Sequence, residues 1–312
     1  MTATPSTPTT SSFIRLVKGD AVADFHPQIG AALSRFAVRG DDVMRITPGA
    51  AIAEGNVRQM ACYPLVPYSN RIGHGKLLFG QKTYQLRPNF GNEVHSIHGV
   101  GWQRAWKIDA QTTDSLTLSL THSPDADWPF RFHVVQECRL LDSALVMRLR
   151  ITSTDDAPMP VGLGFHPFFP MKPDTTLQAE WSGRWEMGED KLPTEWKKVS
   201  VETDFAMPRL IRDWKVDHCF TDWKQRATLD YAKNRTILTA TGDAKNLICF
   251  APNDGRNFIA LEPVTNINNA FALAARGVAH TGMRVLGRGD SVEMSMTISV
   301  EQLAVSSSGA KS

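Results

Sequence analysis

Hydrophobic and polar residues alternate with a period of two along several segments of the chain. Residues 115–121 place three leucines on one face and hydroxyl side chains on the other, and similar alternation runs through residues 130–140 and 144–152. Successive side chains of a β-strand point to opposite faces, whereas an α-helix cannot accommodate this period. The three segments therefore predict β-strands that are buried on one face.

The same alternation returns later in the chain, in residues 236–240, 247–251 and 292–300. Clusters of turn-forming residues separate such segments, as in residues 252–255. Only residues 269–276 show a helical pattern, and that segment is short. Strands linked by turns, without helices between them, predict an all-β fold in which antiparallel sheets pack face to face.

The chain of 312 residues shows no internal repeat, no sharp change of composition and no long linker. Because β-sandwiches often exceed about 200 residues as one unit, a single domain is predicted over residues 13–304. The polar residues 1–12 and 305–312 are predicted to be a disordered N-terminal lead and a flexible C-terminal tail.

Composition and charge limit the classes of partner that the protein can bind. A hydrophobic content of 42% supports a large core and excludes a disordered chain. The 34 basic and 32 acidic side chains give a formal charge of only +2, so the positive field that nucleic-acid binding requires is not expected. No run of about 18 apolar residues is present, and no membrane-spanning segment is predicted.

The cysteines and the N-terminal residues predict a cytoplasmic protein. The four cysteines lie far apart and form no Cys-x-x-Cys pair, which argues against a disulfide framework and against a zinc ribbon. Residues 1–12 lack the basic and apolar regions of a secretory signal.

Three segments interrupt the alternation with polar and glycine-rich residues, and such breaks are expected at functional or strained sites. The first segment, residues 63–73, contains two prolines, which exclude a helix interior. Asn70 and Arg71 in this segment offer an amide and a guanidinium group to a polyhydroxylated ligand. An ordinary turn with a surface arginine is the alternative interpretation.

The second segment, residues 95–102, contains His95, His98 and two glycines. Three residues apart on an extended strand, the two histidines point to opposite faces, so at most one of them is expected to face a pocket. A metal site that both histidines share is not expected for the same reason. The glycines would let a ligand or another backbone approach His98 closely. A structural histidine bonded to the main chain is the alternative.

The third segment, residues 162–170, contains His166. Pro167 favours extended backbone at this histidine, and the aromatic neighbours would shield its ring from water. The usual pKa of histidine, about 6.5, suits proton transfer near neutrality, and a nearby carboxylate is expected to raise that pKa and hold more of the acid form. A buried, inert histidine is the alternative.

Two carboxylates stand among hydrophobic residues. Glu262 lies in a predicted strand that runs into Pro263, and an ionised group is costly to bury there without a partner or a function. Asp217 lies within residues 216–220, where an ordinary turn or strand-edge aspartate is the alternative.

Together these segments resemble the aldose 1-epimerase, or galactose mutarotase, family. The resemblance covers residues 63–271, about two thirds of the chain. The matching elements are Asn-Arg-Ile at residues 70–72, His-Gly at 98–99 followed by Gly101 and Trp102, His-Pro-Phe-Phe at 166–169, Asp-His-x-Phe at 217–220 and Glu-Pro-x-Thr at 262–265.

The resemblance implies a galactose mutarotase-like supersandwich of antiparallel strands. It also implies a reaction that interconverts the α and β anomers of a free aldose without cofactor or metal, with Glu262 as general base and His166 as general acid. The substrate-binding positions that it implies are Arg71, His98 and Asp217, which Asn70 is expected to join. The expected partner is a small sugar, and the protein is expected to be a monomer or a homodimer.

Three other functions are compatible with parts of the sequence. A mutarotase acting on hexose 6-phosphates would need basic residues near the phosphate, and sequence position leaves Arg87, Arg104 and Arg284 available for that role. A non-catalytic sugar-binding module could share the fold, although the presence of both Glu262 and His166 argues against it. A metal-dependent cupin-like protein is disfavoured because the paired-histidine spacing of such a site is absent.

Overall fold

Strands make up most of the backbone in the computed structural model, which describes residues 13–303. The predicted lead, residues 1–12, and the predicted tail, residues 305–312, lie outside the described residues. Within the described range the chain forms 27 β-strands, two short α-helices and three 3-10 turns. Every pairing between these strands is antiparallel, which confirms the all-β class predicted from the alternation.

The strands are numbered in chain order. The first nine are β1 (Ile14–Lys18), β2 (Ala21–His26), β3 (Ala32–Val38), β4 (Asp41–Asp42), β5 (Pro64–Leu65), β6 (Arg71–Ile72), β7 (Lys76–Phe79), β8 (Lys82–Gln85) and β9 (Ser96–Ile97). The next nine are β10 (Lys107–Gln111), β11 (Ser115–His122), β12 (Phe132–Leu141), β13 (Ala144–Ser153), β14 (Met159–Val161), β15 (Gly164–Phe165), β16 (Phe168–Pro170), β17 (Thr176–Ala179) and β18 (Gly183–Met187). The last nine are β19 (Pro193–Lys198), β20 (Phe205–Leu210), β21 (Val216–Thr221), β22 (Arg226–Asp230), β23 (Asn234–Gly242), β24 (Asn246–Ala251), β25 (Phe258–Val264), β26 (Arg284–Leu286) and β27 (Ser291–Gln302).

The largest sheet has nine strands in the order β10-β11-β12-β13-β27-β23-β22-β17-β20. Its central strands bury one face: along β12, alternate residues from Phe132 to Leu140 are buried and their neighbours are more exposed. Five of the predicted strand segments lie in this sheet, on β11, β12, β13, β23 and β27, and are confirmed. The period of two is visible in their sequences because only one face of this sheet packs against the core.

The second sheet has eight strands, in the order β19-β18-β21-β24-β25-β15-β5 with β16 also paired to β25. Every residue of β25 is buried, so both faces of the sheet are covered at its centre. Ile259 and Leu261 belong to the main core cluster, together with residues of the nine-stranded sheet such as Leu149. Ala260 and Val264, on the opposite face, belong to a smaller cluster. The face turned away from the nine-stranded sheet therefore carries a second, smaller core.

The helices are short. The predicted helix at residues 269–276 is confirmed as α2 (Ala270–Ala275). A second helix, α1 (Gly49–Ala53), was not predicted, and the expectation of only one helical segment is wrong. Five residues make little more than one turn, which is too short for a helical period to show in the sequence. Within the described residues, neither helix has the length and apolar character that a membrane crossing requires.

Candidate active site

One cavity of about 700 Å³ opens on the face of the eight-stranded sheet that carries the smaller core. Its volume falls in the range of about 300–1,000 Å³ that is typical of small-molecule sites. All six residues singled out in the sequence line this cavity. They are Asn70, Arg71, His98, His166, Asp217 and Glu262.

Strand register places the two carboxylates on the same face of the sheet. Glu262 on β25 pairs with Ile248 on β24, and Asp217 on β21 pairs with Phe250 on the same β24. Ile248 and Phe250 are two residues apart and so point to one face, which also holds Glu262 and Asp217. The two carboxylates therefore lie two strands apart on the cavity wall, with Phe250 in the row between them.

His166 lies between β15 and β16, where the strand is interrupted before Pro167. Its backbone N–H donates to the Tyr63 carbonyl over 2.9 Å, and its ring stacks on Phe168 with 4.3 Å between ring centroids. These contacts hold the imidazole with Nε2 3.2 Å from Oε1 of Glu262. Both side chains are almost fully buried, with 6% of His166 and 2% of Glu262 exposed.

Burial shifts the pKa values of this pair in opposite directions. The pKa of His166 lies well below its usual value of 6.5, first because burial disfavours the charged ring and then because His98 and Arg45 are close. The pKa of Glu262 lies well above its usual value of 4.5, first because of burial and then because of Asp217, while Arg71 opposes the shift. The expectation of a raised pKa for His166 is wrong, because desolvation, the largest cause, disfavours the charged ring.

The same two residues carry buried polar atoms without a partner. Within residues 13–303, Nδ1 of His166 and Oε2 of Glu262 have no hydrogen-bond partner. Native interiors leave few buried polar atoms unpaired, and each such atom calls for an explanation such as a ligand or a catalytic role. One acidic or basic atom of each residue therefore makes no hydrogen bond within the described residues.

Asn70 and His98 hold each other in place through reciprocal hydrogen bonds. The Asn70 N–H donates to Nδ1 of His98 over 3.1 Å, and the His98 N–H donates to the Asn70 carbonyl over 2.9 Å. Both residues have left-handed backbone, with φ of 56° and 62°. Asparagine and histidine occupy this region more readily than most residues. Gly99 follows at φ 68°, where a Cβ atom would come within 2.2 Å of the Val66 carbonyl oxygen.

The hydrogen bond to His98 also determines what its ring can do. Burial lowers the pKa of His98 to about 3, so the imidazole is neutral near pH 7 and carries one ring proton. Because Nδ1 accepts a hydrogen bond, that proton is on Nε2, and Nε2 acts as a donor. His98 is thus suited to donate a hydrogen bond to a ligand oxygen.

Three of the predicted site residues also have the spacing of a candidate metal site, which the sequence did not indicate. Donor atoms of His98, His166 and Glu262 lie within 4.8 Å of one another, and two imidazoles with one carboxylate form a common zinc ligand set. A metal-bound imidazole normally donates a hydrogen bond from its other nitrogen, which leaves the metal-facing nitrogen with a lone pair. His98 shows the reverse arrangement, since its Nδ1 accepts. Its ring therefore fits a hydrogen-bond donor better than a metal ligand.

Arg71 is fixed at the cavity wall by a carboxylate and an amide. Its guanidinium contacts Glu93 at 3.5 Å and Oδ1 of Asn70 at 3.4 Å, and only 10% of its side chain is exposed. Lys191 contacts the same Glu93 at 3.0 Å. Burial raises the pKa of Asp217, while Arg71 and then Lys191 oppose this shift. On this side of the cavity, the Arg71 guanidinium offers hydrogen-bond donors and the Asp217 carboxylate offers acceptors.

Several other residues considered in the sequence lie elsewhere. His95 is buried, and its ring bonds the Asp190 carbonyl over 2.9 Å, so only His98 of the two histidines faces the cavity of Glu262. The arginines that were left available for a phosphate do not line that cavity. Arg87 pairs with Asp127, Arg104 with Asp125 and Asp127, and Arg284 with Asp243.

Other cavity residues were missed by sequence reasoning. Arg45 lies in the segment before α1, Arg58 lies in the 3-10 turn Val57–Gln59 after it, and Glu93 and Lys191 lie in loops between strands. Charged residues in such segments are ordinarily solvated surface, so the sequence contains no signal that separates these four from other charged residues.

Similarity in sequence and similarity in structure both point to the aldose 1-epimerase family. The family model for aldose 1-epimerase matches residues 12–299. YphB, an uncharacterized protein of Escherichia coli strain K12, is 29% identical over 259 residues, which cover 80% of this chain and 87% of that protein. The crystal structure of a candidate aldose 1-epimerase from Escherichia coli K12 matches with a TM-score of 0.84 at 27% identity, covering 94% of this chain and 99% of that one.

A second solved structure is more distant in sequence but similar in fold. It is a galactose mutarotase-like protein from Clostridium acetobutylicum, which matches with a TM-score of 0.82 at 17% identity and covers 93% of this chain and 95% of that one. The predicted galactose mutarotase-like fold is confirmed.

Proposed function

The chain belongs to the aldose 1-epimerase family, and we propose that it interconverts the α and β anomers of an aldose by acid–base ring opening and reclosure. The observation that carries the proposal is the buried pair of Glu262 and His166, 3.2 Å apart on the wall of a cavity of sugar size. A module that only binds sugar has no need of such a pair, since burying titratable groups is costly. Polarimetry tests the proposal, because the protein should speed the equilibration of a freshly dissolved aldose.

Mutarotation requires loss of the anomeric hydroxyl proton and gain of a proton by the ring oxygen. In the proposed cycle, the Glu262 carboxylate takes the first proton while the protonated His166 imidazole donates the second. The ring opens, the aldehyde carbon rotates, and the ring recloses as the two protons return. Each such transfer typically contributes a factor of about 10²–10⁴ to the rate. Only protons are exchanged, so the proposed reaction uses no cofactor.

The pair needs one proton in total for this cycle. In the free protein, burial favours the neutral arrangement, in which Glu262 holds the proton and His166 is uncharged. Sugar hydroxyls can donate to the carboxylate, and the positive charge of Arg71 favours its ionised form, so both favour transfer of the proton to His166. In this proposal, substrate binding itself prepares the acid and the base.

The pH dependence follows from the two pKa directions. A second proton joins the pair only at a pH well below 6.5, because the pKa of His166 is lowered. The remaining proton leaves only well above pH 4.5, because the pKa of Glu262 is raised. We therefore expect kcat/KM to fall on the acid side only well below pH 6.5 and on the alkaline side only well above pH 4.5, as a property of the coupled pair.

Initial rates between about pH 4 and pH 9, corrected for the spontaneous reaction, measure this profile. Loss of activity on the acid side with a midpoint near pH 6.5, or on the alkaline side with a midpoint near pH 4.5, would contradict the proposed pair, because neither pKa would then be shifted.

Replacement of Arg71 by alanine is expected to raise KM by about tenfold to a hundredfold, and to lower kcat by less, because a charged donor to the sugar is lost. Arg104→Ala is the matched control, since Arg104 is paired with Asp125 and Asp127 outside the cavity. Steady-state kinetics of both variants give the comparison. An unchanged KM with a large loss of kcat would show instead that Arg71 acts mainly in the transition state.

A further inference from the structure

Two arginines on the cavity wall have no carboxylate partner within residues 13–303. Arg45 donates to the main-chain carbonyls of Met60 at 2.6 Å and Arg58 at 3.2 Å, and its buried Nε has no partner in the described part of the chain. Arg58 lies over the ring of Phe90, with its guanidinium carbon 4.0 Å from the ring centroid. Both line the same cavity as Glu262 and His166.

Each of the other cations of the cavity contacts a carboxylate. Arg71 and Lys191 share Glu93, and Arg256 is held by both oxygens of Asp254. Arg45 and Arg58 therefore differ from the other cavity cations in having no carboxylate contact within residues 13–303.

Arg45 is fixed in an orientation suited to binding a ligand. Its guanidinium carbon lies 3.6 Å from the centroid of Phe168 and 4.9 Å from that of Phe258. Burial lowers the pKa of Arg45 to about 10, and the titratable neighbours that also affect it are Tyr63 and Arg256 rather than a carboxylate. Arg45 is half-buried, and a partly desolvated cation is costly without a counter-charge. A planar guanidinium stacked on aromatic rings is well suited to bind phosphate or carboxylate.

We propose that Arg45 and Arg58 form an anion subsite, and that the preferred substrate is an aldose bearing a phosphate or carboxylate group. The inference rests on the proposed mutarotase function, because the sugar must also present its anomeric carbon to Glu262 and His166. Phe168 connects the two parts of the site, since its ring contacts both the His166 imidazole and the Arg45 guanidinium.

An anion at this position also affects the chemistry. The positive charge of Arg45 is one of the causes that lower the pKa of His166. A bound anion offsets that charge, and so favours the protonated imidazole that donates to the ring oxygen. The anionic group of the substrate thus contributes to catalysis as well as to binding.

The first experiment compares kcat/KM for D-glucose, D-glucose 6-phosphate and D-glucuronate at one ionic strength. At least one anionic sugar is expected to exceed glucose by about tenfold or more, the effect of one charge-assisted hydrogen bond. Comparison of kcat/KM for D-glucose 6-phosphate and D-glucuronate shows whether the subsite binds phosphate or carboxylate. Turnover of glucose without any preference for either anionic sugar overturns the subsite and leaves the mutarotase function standing.

The second experiment assigns the preference to residues. In Arg45→Met and in Arg58→Met, the ratio of kcat/KM between the anionic and the neutral sugar is expected to fall toward one. Arg58 is exposed, so its variant tests the subsite even if replacement of Arg45 impairs folding. Arg87→Met is the matched control, because Arg87 pairs with Asp127 outside the cavity and should keep the wild-type ratio. A wild-type ratio in Arg58→Met overturns the assignment.

Binding of inert analogues separates this inference from the mutarotase function. Calorimetry with 1,5-anhydro-D-glucitol and its 6-phosphate requires no anomeric chemistry. Tighter binding of the phosphate by about tenfold, lost in Arg58→Met, supports the subsite even if no aldose is turned over. Equal affinity for the two analogues, with no preference for glucuronate in the kinetic assay, overturns it.

Discussion

Replacement of Glu262 by glutamine is expected to lower kcat for anomer interconversion by a factor of about 10²–10⁴, the usual contribution of a general base. Glutamine keeps the volume of the buried side chain, but its amide cannot accept the anomeric proton near pH 7. The fold is expected to persist, because Oε2 of Glu262 makes no hydrogen bond that the amide would lose. Polarimetric rates, together with thermal unfolding of the same preparation, measure both effects.

Glu137→Gln provides the control for this substitution. Glu137 lies on β12 and pairs with Arg148 on the surface, away from the cavity. This variant should retain the wild-type rate. Retention of activity in Glu262→Gln, with wild-type unfolding behaviour, would remove Glu262 from the proposed chemistry.

Replacement of His166 by asparagine is expected to cause a loss of similar size, and the double variant Glu262→Gln/His166→Asn is expected to be little worse than the poorer single variant. The reason is that the two groups act on one substrate in a single concerted exchange, so loss of either abolishes the same step. Residues that act as a unit give strongly non-additive effects, whereas independent residues give additive ones.

The four rates of this double-mutant cycle, each corrected for the spontaneous reaction, test the coupling. If the two single losses multiply in the double variant, Glu262 and His166 contribute independently, and the shared-proton mechanism is wrong.

The sequence predicts the nine-stranded sheet more completely than the site. Strands such as β12 alternate because one face is exposed, and this period is readable in the residues themselves. On β25 both faces are buried, so alternation is lost, and the charged Glu262 within an apolar run is the remaining signal. The helix α1 was missed because five residues show no period.

The geometry of the site depends on contacts between distant parts of the chain. His166 and Glu262 are brought to 3.2 Å by strand pairing, which no local pattern encodes. Their pKa values depend on depth of burial, and the sequence indicated only that a carboxylate would be near His166. Arg45 resembles an ordinary loop arginine until its contacts with Phe168 and Phe258 are seen.

The central claim is that this chain catalyses anomer interconversion through Glu262 and His166. Polarimetry on freshly dissolved α-D-glucose and α-D-galactose, extended to D-glucose 6-phosphate and D-glucuronate by NMR, tests it most directly when wild type and Glu262→Gln are compared at equal concentration. We predict that the wild-type protein speeds the approach to anomeric equilibrium for at least one of these sugars. With Glu262→Gln, the rate for the same sugar is expected to stay near the spontaneous rate. Spontaneous rates with wild type across all four sugars would contradict the account.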